Sequence, residues 1–155
     1  MKLILAVEPN GGIGYQNKLP WSNIQGDLLR FKTLTYGKMI IMGRNTWESL
    51  PKKPLRDRLN VIVTSSELNG DYATNVIAIQ NIESLSDFKL DDAWIIGGAK
   101  LIESYWNAIH RIHLTRVHQQ FDCDVFIDLV NLAIDFNLVS SEQCIDHTYE
   151  IWERK

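Results

Sequence analysis

The chain has 155 residues, of which 45% are hydrophobic and 23% charged, so it is long enough to bury one substantial core. Its net charge of −3 does not favour nucleic acid or an acidic membrane surface as a partner, and an anionic ligand would need a local basic cluster. The two cysteines, Cys123 and Cys144, do not form a Cys-x-x-Cys pair, so we expect reduced thiols in a cytoplasmic protein.

The first half of the chain alternates predicted strands with helices. Leu3 to Val7 is a continuous apolar run, typical of a strand buried on both faces, and its end at Glu8-Pro9 argues against a signal peptide. A glycine-rich loop is predicted over Pro9 to Ser22, and a helix over about Gly26 to Tyr36, which Gly37 ends. The next predicted elements are a strand over Met39 to Met42, a short helix over Asn45 to Leu50, and strands over Asn60 to Thr64 and Asn75 to Ile79.

In the second half the alternation continues and then stops. The predicted elements are a helix over Ile82 to Phe88, a strand over Ala93 to Ile96, a helix to about Trp106 and a strand over Arg111 to Val117. Asn137 to Ser141 and Thr148 to Trp152 are predicted as two strands with no helix between them, which favours an antiparallel hairpin at the sheet edge. We therefore expect residues 1–155 to form one α/β domain, with helices on both faces of a mostly parallel sheet.

Ligands of such sheets lie beyond the carboxyl ends of the strands, so the glycines that follow Val7, Met42 and Ile96 predict one site. Asp27 is its first candidate residue. Asp27, Phe31 and Leu34 share one helix face, so a carboxylate stands at the head of an apolar stripe, where an unpaired charge is costly to bury. Aspartate is also favoured as a helix N-cap, and the spacing leaves both the cap and a ligand-binding carboxylate open.

Two strand-to-helix junctions combine glycine with a cation. Met42-Gly43-Arg44-Asn45-Thr46 places an arginine at a helix N-terminus, which suits phosphate, although an ordinary turn with a solvated arginine has the same pattern. Ile96-Gly97-Gly98-Ala99-Lys100 repeats the arrangement, and paired glycines let the backbone approach a ligand. The G-x-G-x-x-G fingerprint is absent. Two phosphate-compatible junctions in one small sheet are better evidence for phosphate binding than either alone.

The remaining charged and titratable residues give weaker evidence of a functional site. In the basic segment from Pro51 to Arg58 we expect most side chains to be solvated, whereas Arg58 lies directly before a strand and is better fixed. The histidines lack metal-ligand spacing, since His110 and His113 on one strand face opposite sides, so no metal site is expected. No Ser-His-Asp or Cys-His order indicates a nucleophile, and the aromatic residues form no platform for nucleic acid.

Five segments carry a family resemblance by their order and spacing: Ile13-Gly14-x4-Leu19-Pro20-Trp21, Asp27-Leu28-x2-Phe31-Lys32, Ile41-Met42-Gly43-Arg44-Asn45-Thr46-Trp47-Glu48-Ser49, Ile95-Ile96-Gly97-Gly98 and Leu114-Thr115. In combination they resemble the bacterial-type dihydrofolate reductases, from residue 2 to about residue 128 with a weaker tail. The resemblance implies an eight-stranded sheet, parallel except for one C-terminal strand, with flanking helices. It also implies a cytoplasmic monomer that uses NADPH to reduce 7,8-dihydrofolate to 5,6,7,8-tetrahydrofolate. Such an enzyme would serve one-carbon metabolism and would be a target of antifolates.

The resemblance also implies a substrate site. Asp27 would be the acidic residue of the pterin pocket and would accept two hydrogen bonds from the ring, with Thr115 supporting it. Leu19 and Trp21 join Asp27 in the implied catalytic group. Arg58 would pair with the α-carboxylate of the glutamate tail, assisted by Lys32. The implied apolar walls around the pterin and benzoyl groups are Ile4, Ala6, Leu28, Phe31, Leu50, Leu55 and Ile96.

The implied NADPH site spans several segments. Arg44, Thr64 and Ser65 resemble the 2′-phosphate site. The implied pyrophosphate site consists of Asn45, Thr46, Gly98, Ala99, Lys100 and Leu101, and the Gly97–Gly98 peptide bond is cis in the family. The other implied cofactor contacts are Ala6, Val7, Ile13, Gly14, Leu19, Gly43, Gln80, Ile96, Gly97 and Ile102.

Several positions depart from the family pattern. Leu19 stands where many members have methionine, Ala99 replaces a third glycine, and Ile102 stands where a tyrosine usually lies beside the nicotinamide. Gln25-Gly26 lies in a segment one residue longer than usual, and the stretch around Cys123-Asp124 is shorter. These departures bear on rate and drug affinity more than on the activity itself.

Two other functions remain open from the sequence. The riboflavin-pathway reductase has a similar fold and also uses NADPH, but Pro20-Trp21 together with Asp27 argues against it. A non-catalytic binding protein on the same scaffold is opposed by Asp27, Thr115 and Arg44, although Ile102 leaves it open. Dihydrofolate is the expected partner, with no nucleic acid or membrane.

Overall fold

The computed structural model of the chain describes residues 1–70, 72 and 74–155. The strands are β1 (Lys2–Val7), β2 (Gly12–Gly14), β3 (Met39–Gly43), β4 (Leu59–Val63), β5 (Val76–Ile79), β6 (Trp94–Ile95), β7 (Arg111–Val117), β8 (Val125–Phe126), β9 (Phe136–Gln143) and β10 (His147–Arg154). The α-helices are α1 (Asp27–Thr35), α2 (Arg44–Ser49), α3 (Ala99–Ser104) and α4 (Leu132–Asp135). Across the described ranges, every helix is too short or too polar to cross a membrane.

Eight of these strands form one sheet in the order β5-β4-β3-β6-β1-β7-β10-β9. The six strands from β5 to β7 run parallel to one another. β10 is antiparallel to both of its neighbours, so β10 alone is reversed and the edge strand β9 runs with the rest. The predicted parallel sheet with an antiparallel hairpin at its edge is therefore confirmed.

Apolar side chains cover both faces of the sheet, because successive residues of a strand point to opposite sides. One face packs Ile40, Met42 and Ile62 against Trp47 of α2. The other face packs strand residues against α3, α4 and the turn that follows β5; its buried members include Ile41, Val61, Ile95, Ile112, Leu114, Ile82, Leu85, Leu101, Ile102 and Leu132. Burial on both faces explains why the central strands are continuous apolar runs.

Three local predictions are wrong. The predicted helix over Ile82 to Phe88 is a single 3-10 turn, Ile82–Leu85, which buries its apolar residues at positions i and i+3 and is capped by Asn81. The helix that follows Gly98 ends at Ser104, and a separate 3-10 turn covers Trp106–Ala108. The predicted glycine-rich loop contains β2, which pairs with β8 in a separate two-stranded sheet.

Candidate active site

A cleft opens at the carboxyl ends of β1, β3 and β6, where Ala6, Gly43 and Gly97 line it. The N-terminal ends of α1 and α2 border the same cleft with Asp27 and Arg44. The three strand-to-glycine junctions therefore meet at one place in the fold. The parallel direction of the strands explains this, because their carboxyl ends all reach the same edge of the sheet.

Most residues that the family resemblance assigns to a ligand line this cleft. On the substrate side these are Ile4, Ala6, Asp27, Leu28, Phe31, Lys32, Leu50, Leu55, Arg58, Ile96 and Thr115. On the cofactor side they are Ile13, Gly14, Leu19, Gly43, Arg44, Asn45, Thr46, Thr64, Ser65, Gln80, Gly97, Gly98, Ala99, Lys100 and Leu101. Val7 and Ile102 are fully buried in the core, so the structure does not bring their side chains to the cleft wall. Their contacts with the cofactor stay predictions.

Asp27 faces the sheet and does not cap its helix. The N-cap of α1 is Gly26, in the left-handed conformation with φ of 81°, and Asp27 is the first helical residue, so the N-cap interpretation is wrong. Oδ1 of Asp27 accepts a hydrogen bond of 2.6 Å from Oγ1 of Thr115, which is buried on β7. No side-chain partner of Oδ2 is found within residues 1–70, 72 and 74–155. The carboxylate thus keeps acceptor capacity for a ligand in the cleft.

The loop over the cleft is anchored at several points. Beyond the pairing of β2 with β8, the backbone N–H of Gln16 donates to Oδ2 of Asp124 at 2.8 Å. Trp21 is buried and meets the edge of the Phe121 ring with centroids 5.9 Å apart, whereas Leu19 is 62% exposed. The turn at Gln16, which the Tyr15–Lys18 bridge closes, is therefore tied to Asp124, and the exposed Leu19 follows this bridge. Asp124 is not among the predicted site residues, because only the folded chain brings it to the loop.

Two glycines shape the phosphate-compatible end of the cleft. The backbone N–H of Gly43 donates to the carbonyl of Gly97 at 2.9 Å, so the ends of β3 and β6 lie side by side. A Cβ on Gly97 or Gly98 would lie 3.3 or 3.4 Å from Oγ1 of Thr46, which is tight. The Gly97–Gly98 peptide bond is cis, as the resemblance implies. The glycines leave an open cradle between the first turns of α2 and α3, neither of which has a side-chain cap.

Arg44 is held in place beside this cradle. Its Nη1 donates to the carbonyl of Glu67 at 2.9 Å, and its Nε lies 3.2 Å from Oε1 of Glu48. A hydrogen bond from Lys53, with Arg44 adding to it, lowers the pKa of Glu48, so this carboxylate stays charged. Uncapped backbone N–H groups, the Thr46 hydroxyl and a fixed guanidinium are the donors that nucleotide phosphates require. The residues present therefore fit NADPH.

Arg58 is fixed at the opposite end of the cleft. Its Nε donates to Oγ1 of Thr35 at 2.8 Å, and its Nη2 donates to the carbonyl of Lys32 at 3.0 Å. Lys32 and Thr35, which provide the two acceptors, both lie in the last turn of α1, so the helix orients the guanidinium. Thr35, a fully buried residue, was not signalled by any sequence pattern. Arg58 is thus an ordered cation and not part of a solvated loop.

A polar cluster lies behind Asp27 and is not among the predicted site residues. The Arg30 guanidinium carbon lies 4.2 Å from the centre of the Tyr149 ring, and Arg30 Nη2 lies 3.4 Å from Nδ1 of His113. Burial, followed by the charge of Arg30, lowers the pKa of His113 to about 4, so this histidine is neutral at physiological pH. The spacing of Asp27 and Arg30 on one helix is the only signal of this cluster that the sequence offers.

Comparisons with known proteins agree with this geometry. The family model described as dihydrofolate reductase matches residues 1–153. The chain is 38% identical to dihydrofolate reductase type 8 of Escherichia coli, covering 98% of this chain and 94% of that protein. It is 33% identical to the dihydrofolate reductase of Aedes albopictus, covering 98% and 96%.

A solved structure shows the same architecture. The dihydrofolate reductase of Enterococcus faecalis, complexed with NADP(H) and RAB-propyl, superimposes with a TM-score of 0.84 at 25% identity, covering 99% of this chain and 95% of that chain. The family match, the relatives that match over nearly their full length and the fold all indicate the same family. The chain belongs to the dihydrofolate reductase family.

Proposed function

We propose that the cleft reduces 7,8-dihydrofolate to 5,6,7,8-tetrahydrofolate with NADPH. The observation that carries this proposal is the Asp27–Thr115 pair in a cleft whose other end holds the glycine cradle and Arg44. NADPH, when bound, supplies the hydride that reaches C6 of the pterin. The protein binds and orients the two flat rings at the ends of the strands, which removes an entropic barrier to the reaction.

The Asp27 anion binds the N–H groups at one edge of the pterin ring, and Thr115 holds the carboxylate in place. The anion favours the protonated, more electrophilic substrate. Asp27 lies at the far edge from N5, so the N5 proton arrives through water that the Pro9–Ser22 loop admits. The apolar side chains of Ile4, Phe31 and Leu50 exclude other water from the ring.

Arg58 holds the glutamate tail of the substrate by a bidentate, charge-assisted pair with the α-carboxylate. Arg58→Lys keeps the charge but loses the planar fork and its bonds to Thr35 and Lys32. We expect the KM for dihydrofolate to rise about tenfold while the KM for NADPH hardly changes. Arg56→Lys, in the same basic segment, is the matched control. An unchanged KM for dihydrofolate in Arg58→Lys would remove this assignment.

Arg44 selects NADPH over NADH through the 2′-phosphate. Arg44→Ala removes a charge-assisted contact, so we expect the KM for NADPH to rise about tenfold or more. The KM for NADH, which lacks this phosphate, should stay nearly unchanged. Steady-state kinetics with both cofactors measures the two KM values. An equal rise in KM for NADPH and NADH would show that Arg44 does not bind the 2′-phosphate.

The activity itself is tested by the loss of NADPH absorbance when dihydrofolate is added to the purified chain. We expect consumption that depends on dihydrofolate and is absent from a control without substrate. Absence of dihydrofolate-dependent consumption would reject the proposed function.

We further propose that residues 1–155 form one domain that acts as a cytoplasmic monomer. Cys123 and Cys144 are both free, as expected of a protein in a reducing compartment. Sedimentation or size-exclusion measurement of the purified chain tests the monomer.

A further inference from the structure

We propose that Arg30 is a positioning residue for the reduction, because its guanidinium is held on the Tyr149 ring directly behind the Asp27–Thr115 pair. It acts by charge on the Asp27 site and opposes the uptake of a proton by the substrate bound there. The proposal rests on the function proposed for Asp27.

The geometry places Arg30 next to the substrate-binding carboxylate. Arg30 follows Asp27 by three positions in α1, and residues three apart lie side by side on a helix. Tyr149, which lies under the Arg30 guanidinium, pairs in register with Thr115 on the adjacent strand. Oη of Tyr149 lies 3.6 Å from the position of a Cβ on Gly26, so the phenol lies under the first turn of α1. Arg30, Tyr149, Thr115 and Asp27 therefore converge at one point.

Among the described residues, part of the Arg30 guanidinium lacks a hydrogen-bond partner. Its Nη1 is buried and has no hydrogen-bond partner in the described part of the chain. Burial lowers the pKa of the Arg30 guanidinium, whereas Tyr149 and Asp27 act against this. A half-buried cation with an unpaired donor is costly unless a nearby anion compensates it. Asp27 is such an anion, and because Coulomb attraction is mutual, Arg30 in turn attracts the Asp27 carboxylate.

Arg30 is the fixed positive charge of this cluster. From β7 it faces His113, whose pKa of about 4 keeps the imidazole neutral. From β10 it faces Tyr149, whose pKa burial and Asp27 raise, so the phenol is neutral too. Glu142 of β9 and Cys144 of the following turn act on Arg30 by charge and raise its pKa. A guanidinium remains charged over the range in which the enzyme works.

The test is the pH profile of single-turnover hydride transfer, measured with protiated and deuterated NADPH. Protonated substrate is the reactive form, so the rate falls as pH rises through the midpoint of the profile. Arg30→Met removes a positive charge that opposes proton uptake, so we expect the midpoint to move upward by about one unit. Arg30→Lys, which keeps the charge, should restore the midpoint towards the wild-type value.

Three further variants make the test decisive. Lys38→Met removes a cation that pairs with Asp92 outside the cleft, and should leave the midpoint unchanged. Arg30→Gln repeats the charge removal with a planar polar group, in case Arg30→Met does not fold. Because Arg30 helps to lower the pKa of His113, Arg30→Met also changes the titration of His113. His113→Asn removes this titration. The upward shift of the midpoint should therefore persist when Arg30→Met is combined with His113→Asn.

An equal loss of rate at every pH with an unchanged midpoint would show that Arg30 only packs, and would overturn the proposal. A shift that disappears in the double variant would belong to His113 and would overturn it as well. Near wild-type turnover of Asp27→Asn would instead refute the function proposed for Asp27, whatever the Arg30 variants show.

Discussion

Asp27→Asn is expected to lower turnover at neutral pH by about a hundredfold or more, with partial recovery at low pH. Asparagine keeps the shape of the side chain, and its Oδ1 can still accept the 2.6 Å hydrogen bond from Thr115. Only the negative charge is lost, and with it the preference for protonated substrate. At low pH the substrate arrives already protonated, so part of the rate returns. Single-turnover hydride transfer across the pH range measures the effect.

Asp92→Asn is the matched control, because Asp92 is a surface carboxylate that pairs with Lys2 and Lys38 outside the cleft. It should keep nearly wild-type turnover. If Asp27→Asn behaved as Asp92→Asn does at neutral pH, Asp27 would have no part in the reaction.

Gly97→Ala is expected to impair both folding stability and NADPH binding. Gly97 has φ of 122°, which L-residues rarely adopt, and its new Cβ would lie 3.3 Å from Oγ1 of Thr46. We expect the free energy of unfolding to fall by roughly 2–3 kcal/mol. Relief of the contact would move the first turns of α2 and α3 apart, so the Kd for NADPH should rise about tenfold. Denaturant unfolding and NADPH titration measure the two effects.

Gly37→Ala is the matched control, because it introduces the strain of a positive φ without a close Cβ contact. Gly37 also has a positive φ, of 68°, but a Cβ there would meet nothing within 4 Å. Its loss of stability should be about 1 kcal/mol, with NADPH binding unchanged. Equal NADPH affinity in the wild type and Gly97→Ala would show that the glycine cradle does not bind the cofactor.

Asp27 illustrates what spacing alone leaves undecided. The periodicity of α1 places the carboxylate on an apolar stripe, but the choice between cap and ligand depends on Thr115, 88 residues away in the sequence. The glycine junctions are easier to predict, since each is local and the parallel sheet brings strand ends together. Arg30 could not be assigned in advance, because the Tyr149 ring that holds it belongs to the reversed strand β10.

The environment of Ile102 is another feature that the sequence pattern does not predict. Its side chain is fully buried in the core, and the contact with the nicotinamide that the family resemblance implies stays a prediction. The sequence pattern also predicts a helix over Ile82 to Phe88, but the structure has a 3-10 turn over Ile82–Leu85. In this turn, the apolar residues at positions i and i+3 are buried. The pairing of β2 with β8 involves only short segments far apart in sequence, and so has no periodicity to predict it.

The proposed reaction is tested most directly by following the hydride. The purified chain is incubated in ordinary water with dihydrofolate and NADPH that carries deuterium at the transferred position, and the product is analysed by NMR. We expect tetrahydrofolate with one deuterium at C6 for each NADPH oxidised. NADPH oxidation no faster than in the control without dihydrofolate, or tetrahydrofolate without deuterium at C6, would contradict the proposed reduction of dihydrofolate in this cleft.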